Sequence, residues 1–234
     1  MMYVVSVVAF IGWCMLRWLI GHPSVSRFVY PRGCLYHIPG ALSSSQKNAW
    51  NNHALCLIHG VVATLGSLHA ILRTLPNFNW SIEQTLLHSS THINDWPLAQ
   101  PWIEISIGYF LYDTLINIID RPNTNPTDYV HHTLCIVAYA LSLWFQWGWF
   151  LAIFFLTNEF STPAFHLGWY LSQDPKTPIR RQQVMDVLFV ASFFAVRVGF
   201  NLFVLKMCWL LATVKEYHPS PEIIPSYAFW AQMY

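Results

Sequence analysis

YVHHTLCIVAYALSLWFQWGWFLAIFFLTNEFSTPAFHLGWY, from Tyr129 to Tyr170, is apolar along most of its length and too long for a single membrane crossing. A hydrocarbon core of about 30 Å takes roughly 20 residues of helix at ~1.5 Å rise each. The tract must therefore cross, turn and return. The turn falls at Gln146–Trp147–Gly148–Trp149, where small, polar and aromatic groups suit the membrane interface. That gives two spans, Tyr129–Gln146 and Trp149–Tyr170.

Working outward, apolar stretches of spanning length run over Met2–Ile20, Asn52–Leu75, Trp102–Ile119 and Met185–Leu211. The first has no basic leader or small-residue cleavage site, and Arg17 comes at its far end, so it reads as a retained helix. Ser226–Tyr234 is apolar but too short to cross. The expected fold is an all-α polytopic transmembrane helical bundle of six full spans plus a C-terminal seventh-helix stub. Residues 1–47 hold the first transmembrane helix and a cytosolic loop, and 48–234 hold the principal domain.

Composition agrees. The apolar set is 55% of the 234 residues, aromatics 17% and charged residues 10%, against about 25% charge in ordinary soluble domains. So few charges cannot cover a soluble globule, and so many apolar groups exclude disorder. A formal net charge of +1 gives no basic field for nucleic acid. The five cysteines are odd in number and irregularly spaced, which supports neither a disulfide framework nor a zinc knuckle. Lys and Arg concentrate in the odd-numbered connections, as at Arg27, Arg32, Lys47, Lys176, Arg180 and Arg181. By the positive-inside rule those face the cytosol and the N-terminus faces the lumen. The glycosylation pattern at Asn79 then falls on the lumenal side.

Ionisable groups within spans are expensive, about 2.5–3.5 kcal/mol each on insertion scales, and mark function by default. Span two carries Asn52, His53, His59 and His69; span three carries Glu104, Asp113 and Asn117; span four opens with His131 and His132. Span five carries Glu159, Thr162 and His166, and span six Asp186 and Arg197. Asp113 with Asn117, Glu159 with Thr162 and His166, and Asn52 with His59 each share a helical face. These faces predict a polar cavity lined by His59, Asn117, Glu159, Thr162 and His166. His53 and Asp186 sit near helix ends, where interfacial solvation suffices. His131 and His132, with Asp113 nearby, are the candidate catalytic groups, since a neutral imidazole can act as base or nucleophile. Adjacent histidines diverge by about 100° on a helix and cannot easily grip one ion. No H-E-x-x-H spacing is present, so no metal site is expected. Arg197 and Glu159 lie at similar depth and predict a structural ion pair.

The motifs, taken together and in order, resemble a known family. DYVHHT (Asp128–Thr133), GYFLYD (Gly108–Asp113), NEFSTP (Asn158–Pro163) and MDVLFV…AVRVG (Met185–Val190 and Ala195–Gly199) are similar to the signature segments of the TLC domain. Ceramide synthases, the translocating-chain-associating membrane protein and a set of small TLC-domain-containing proteins share that domain. The likeness covers Asn48 to Leu211 and is greatest to the small proteins. It implies a membrane bundle around a lipid-accessible cavity. In the synthases the histidine pair serves acyl transfer from acyl-CoA to a sphingoid amine, a role that would fall here to His131 and His132. The synthases carry a paired Asp-x-x-Asp in span five, whereas this chain has only Glu159 in NEFSTP.

The resemblance therefore implies a lipid-binding or lipid-sensing protein that influences membrane composition, residing in the endoplasmic reticulum or another endomembrane. The alternative is a lipid acyltransferase using His131 and His132. No cofactor is expected, acyl-CoA being a co-substrate only in the second case. Membrane lipid is the expected partner, and homo- or hetero-oligomers remain open.

Overall fold

The computed structural model describes residues 4–22, 25, 43–74, 96–120, 125–145, 148–173 and 176–213. Within them every regular element is helical: α1 (Val4–Gly21), α2 (Ser44–Thr74), α3 (Trp96–Asp120), α4 (Pro126–Phe145), α5 (Trp149–Leu156), α6 (Thr162–Ser172), α7 (Ile179–Phe193) and α8 (Asn201–Thr213). A 3₁₀ turn, Thr157–Ser161, joins α5 to α6, and a π turn, Phe194–Phe200, joins α7 to α8. The glycosylation candidate Asn79 and the C-terminal stub lie outside the described residues.

Local chemistry sets the ends. α2 begins eight residues before the apolar stretch because Ser43 and Gln46 form a capping box. The Gln46 N–H donates to Ser43 Oγ at 3.2 Å, and the Ser43 N–H donates to Gln46 Oε1 at 2.9 Å. α4 starts with Pro126 in its first turn, while Asn125 Oδ1 accepts the Thr127 N–H at 3.1 Å. Between α4 and α5 the chain reverses at Gly148, whose φ of 69° lies in the left-handed region that glycine enters without strain. The 3₁₀ turn precedes Pro163, which has no N–H to return to the Glu159 carbonyl, so the helix tightens there.

Three helical stretches are long and apolar enough to cross a membrane on length and composition: Val4–Gly21, Ser44–Arg73 and Ile179–Leu210. α5 and α6 are individually too short because the 3₁₀ turn divides them. α3 and α4 carry Glu104, Asp113, Asp128 and the histidine pair, which lower their hydropathy. Among these three long stretches, apolarity and burial do not run together. Only 6% of the Ile179–Leu210 window is buried within the bundle, against 44% for Ser44–Arg73. Val187, Val190, Phe194, Leu202, Leu205 and Trp209 all face outward, as lipid-facing positions should. The chain is an all-α polytopic membrane bundle, with Glu104, Asp113 and His132 turned inward and Asp128 and His131 exposed.

α1 packs chiefly on α3, and α2 touches α1, α3, α5, the 3₁₀ turn and α6. The α1–α3 approach is close enough that a Cβ on Gly108 would sit 2.7 Å from Ala9 Cβ and 2.8 Å from the Phe10 amide nitrogen. Glu104, fully buried on α3, accepts the Ser6 backbone N–H at 3.1 Å and a hydrogen bond from Gln100. Ser6 lies in the first turn of α1, where helix N–H groups have no internal partner, so Glu104 caps α1 from across the interface. Glu104→Leu is expected to cost about 1.5–3 kcal/mol, the range for a hydrogen bond to a charged group. Thermal melting in detergent would register it, and an unchanged midpoint would remove Glu104 from this role.

Candidate functional site

The interior cavity has a volume of about 540 Å³ and takes lining from α2, α3, α4, the 3₁₀ turn, α6 and the π turn. Its lining includes His53, Tyr109, Asp113, Asn117, Asp128, His131, His132, Glu159, Thr162, His166, Trp169 and Arg197. A polar interior of this kind is what the inward faces of the polar helices produce when the apolar faces turn to lipid.

His132 and Asp113 form the first group. His132 Nε2 lies 3.6 Å from Asp113 Oδ2, and both side chains are buried. Asn117, one turn on, donates its Nδ2–H to the same Oδ2 at 3.1 Å. On the other side of the ring, Thr114 Oγ1 lies 3.3 Å from Nδ1. That hydroxyl donates its single hydrogen to the Phe110 carbonyl at 2.7 Å. Its lone pair therefore faces the imidazole, and Nδ1 is the donor. Nε2 is left with its lone pair on the cavity side, beside Asp113. At 3.6 Å the contact is longer than a direct hydrogen bond. His131 is exposed beside this pair, with its ring 5.6 Å from that of His132 and its nitrogens 3.8–3.9 Å from Cys135 Sγ.

A second group lies where the two helix irregularities meet. Arg197 Nη2 is 3.9 Å from Glu159 Oε1, and Arg197 Nε–H donates to Ser161 Oγ at 3.2 Å. Thr162 Oγ1–H donates to the other Glu159 oxygen at 2.7 Å. Asn201 Nδ2–H donates to the Arg197 carbonyl at 3.1 Å, and Asn158 Nδ2–H to Asn201 Oδ1 at 3.2 Å. The π turn frees carbonyls from their usual partners, and these side chains take up one of them.

A third group joins α2 to α6. His53 Nδ1 and His166 Nδ1 are 2.7 Å apart, and the His53 ring stacks on Trp169 at 3.7 Å and 8°. Tyr170 Oη–H donates to the Trp50 carbonyl at 2.8 Å, closing the same seam.

The structure thus brings His131, His132, Asp113, Asn117, Glu159, Thr162, His166 and Arg197 to one cavity. It sets His59 apart. That ring is buried between α2 and α3, stacked on Tyr109 at 3.7 Å and 7°, with Nε2 3.3 Å from Ser106 Oγ. Tyr109 lines the cavity and His59 does not. Sequence reasoning overlooked Thr114, Tyr109 and Trp169 and left His53 at the interface. The spacing of Thr114 one residue after Asp113 is the single signal that could have drawn it in. Among the described residues no three His, Cys, Asp or Glu side chains converge as a metal site would require.

The TLC domain family matches residues 49–233, nearly all of the chain after α1, so the protein belongs to the TLC-domain family. No solved structure matches the chain.

Proposed function

We propose that the chain binds or senses a membrane lipid within this cavity and thereby influences the lipid composition of an endomembrane. One observation carries the reading: the α2–α6 seam borders both a polar space and an apolar one. At the level of Asn52, His53 and Cys56 it opens on the 540 Å³ polar cavity. At the level of Val61, Thr64 and Leu65 it borders a groove of about 360 Å³, lined also by Phe160, Pro163, Leu167 and Leu188. A lipid presents both chemistries within one molecule, a polar head and an apolar chain. Such pairing of apolar lining with a few fixed polar groups is what ligand sites offer.

The orientation of His132 favours a second reading, lipid acyl transfer. With Nδ1 committed to Thr114, Nε2 faces the cavity in the form a base or nucleophile needs. It would take the proton of an amine or hydroxyl as that group attacks a thioester carbonyl, or attack the carbonyl itself. The products would be an amide or ester and a free thiol, with acyl-CoA as the donor of the acyl group.

Mass spectrometry of the purified full-length chain separates the two. A stoichiometric, unreacted lipid supports binding; an acyl adduct on the peptide bearing His131 and His132 supports transfer. Protein that purifies without lipid from native membranes and takes up none from lipid vesicles would overturn the first reading.

A further inference from the structure

We propose that His53 and His166 form a one-proton acid–base site in the cavity wall, distinct from the His132–Asp113 pair, with a proton as its ligand. The argument starts from one distance. Two imidazole Nδ1 atoms at 2.7 Å repel unless one hydrogen lies between them. One ring therefore donates and the other accepts. The contact admits two protonation states only. In the neutral state the donor is an Nδ1–H tautomer and the acceptor an Nε2–H tautomer. In the cationic state the donor is an imidazolium. Two imidazolium rings cannot keep the contact, because neither would have a lone pair.

The surroundings name the ring that carries the charge when the dyad binds its proton. His53 lies face to face with the Trp169 indole at 3.7 Å, and an aromatic face attracts a cation stacked on it. His166 instead meets the Phe165 ring at 5.1 Å in an edge arrangement. The charge therefore belongs to His53, with His166 as acceptor. In the wider cavity α3 contributes Asp113, α4 Asp128, His131 and His132, the 3₁₀ turn Glu159 and the π turn Arg197, which is engaged with Glu159. α7, packed on α6, carries Asp186 beside Gly168 together with Arg180 and Arg181, and α1, packed on α2, carries Arg17, which bonds Asn48. These charges offset one another, so the Trp169 face is what distinguishes the two rings. The protonated dyad gives the cavity a proton donor supplied by α2 and α6, while the His132–Asp113 pair is supplied by α3 and α4.

The test uses the full-length chain with ¹⁵N-labelled histidine in phosphatidylcholine nanodiscs, titrated between about pH 5 and 8. Resonances are assigned by their loss in His53→Gln and His166→Gln. The expected result is that both Nδ1 signals move together with uptake of one proton, and that a coupling crosses the Nδ1–H···Nδ1 bond. In Trp169→Leu the proton affinity is expected to fall roughly two- to fivefold. Two independent one-proton titrations in the wild-type chain would overturn the proposal, as would two rings that stay neutral to about pH 5. An unchanged midpoint in Trp169→Leu would overturn the placement of the charge on His53. The shared titration is observed in the wild-type chain, so no variant's folding enters it, and neither readout depends on which lipid function holds.

Discussion

Arg197→Met is expected to destabilise the protein by about 3 kcal/mol, and the double variant Arg197→Met, Glu159→Gln by much less. Arginine keeps its charge at any accessible pH, so a bundle that contains one must supply acceptors. Here the acceptors are Glu159 Oε1 at 3.9 Å and Ser161 Oγ at 3.2 Å, with the Phe193 ring 5.7 Å from the guanidinium carbon. Removing the guanidinium alone strands the Glu159 carboxylate, which then keeps only the Thr162 hydroxyl among these partners. Replacing both leaves two neutral side chains and no buried charge. The range for breaking one side of a buried pair is about 3–5 kcal/mol. The lower end applies because the guanidinium side chain is 30% exposed and the contact is long. Detergent melting of the wild type, both single variants and the double variant closes the cycle. Losses that simply add would show that Arg197 and Glu159 do not interact.

That pair shows how far the sequence could be read. Depth along each helix sets Arg197 and Glu159 at one level, because rise per residue is nearly constant. Phase was less secure. The spacing of Glu159, Thr162 and His166 assumes a regular helix, yet the 3₁₀ turn lies across it. The three still reach one cavity because the irregularity ends at Thr162, whose hydroxyl bonds directly to Glu159. His59 shows the opposite outcome. It shares a face with Asn52, but a face carries no information about level. Two turns deeper, that face of α2 meets Tyr109 instead of open space. Glu104 has the chemistry of a site residue and serves as a cap, which only the position of α1 reveals. His53 looked like a helix-end residue because the apolar run began near it. The capping box at Ser43 and Gln46 extends α2 by eight residues and places His53 inside the helix. The number and order of the helices follow from hydropathy; the pairings between them depend on packing that no single segment encodes.

If the chain transfers acyl groups, His132→Ala is expected to lower the rate by about 10²–10⁴-fold, the usual contribution of a positioned acid–base group. The bundle itself should survive. His132 bonds only at the cavity wall, through Thr114 and Asp113, whereas the α1–α3 and α2–α3 contacts rest on other residues. Membrane insertion and melting are therefore expected to change little, and their preservation is the control that makes the loss interpretable. Thr114→Val is the companion. It keeps the shape of the side chain, removes the lone pair that holds Nδ1–H, and lets the ring choose the other tautomer. One lost hydrogen bond of about 1–1.5 kcal/mol corresponds to roughly a tenfold loss in rate. That loss should appear in kcat and not in KM, because Thr114 orients the imidazole and does not line the cavity. Under the lipid-binding reading the same variants give a different pattern. His132→Ala would shift the amount or identity of the co-purifying lipid, and Thr114→Val would leave it nearly unchanged. Full activity in both the His131→Ala and His132→Ala variants would sink the assignment of the site, which rests on the Nε2 of His132 beside Asp113 with Nδ1 held by Thr114.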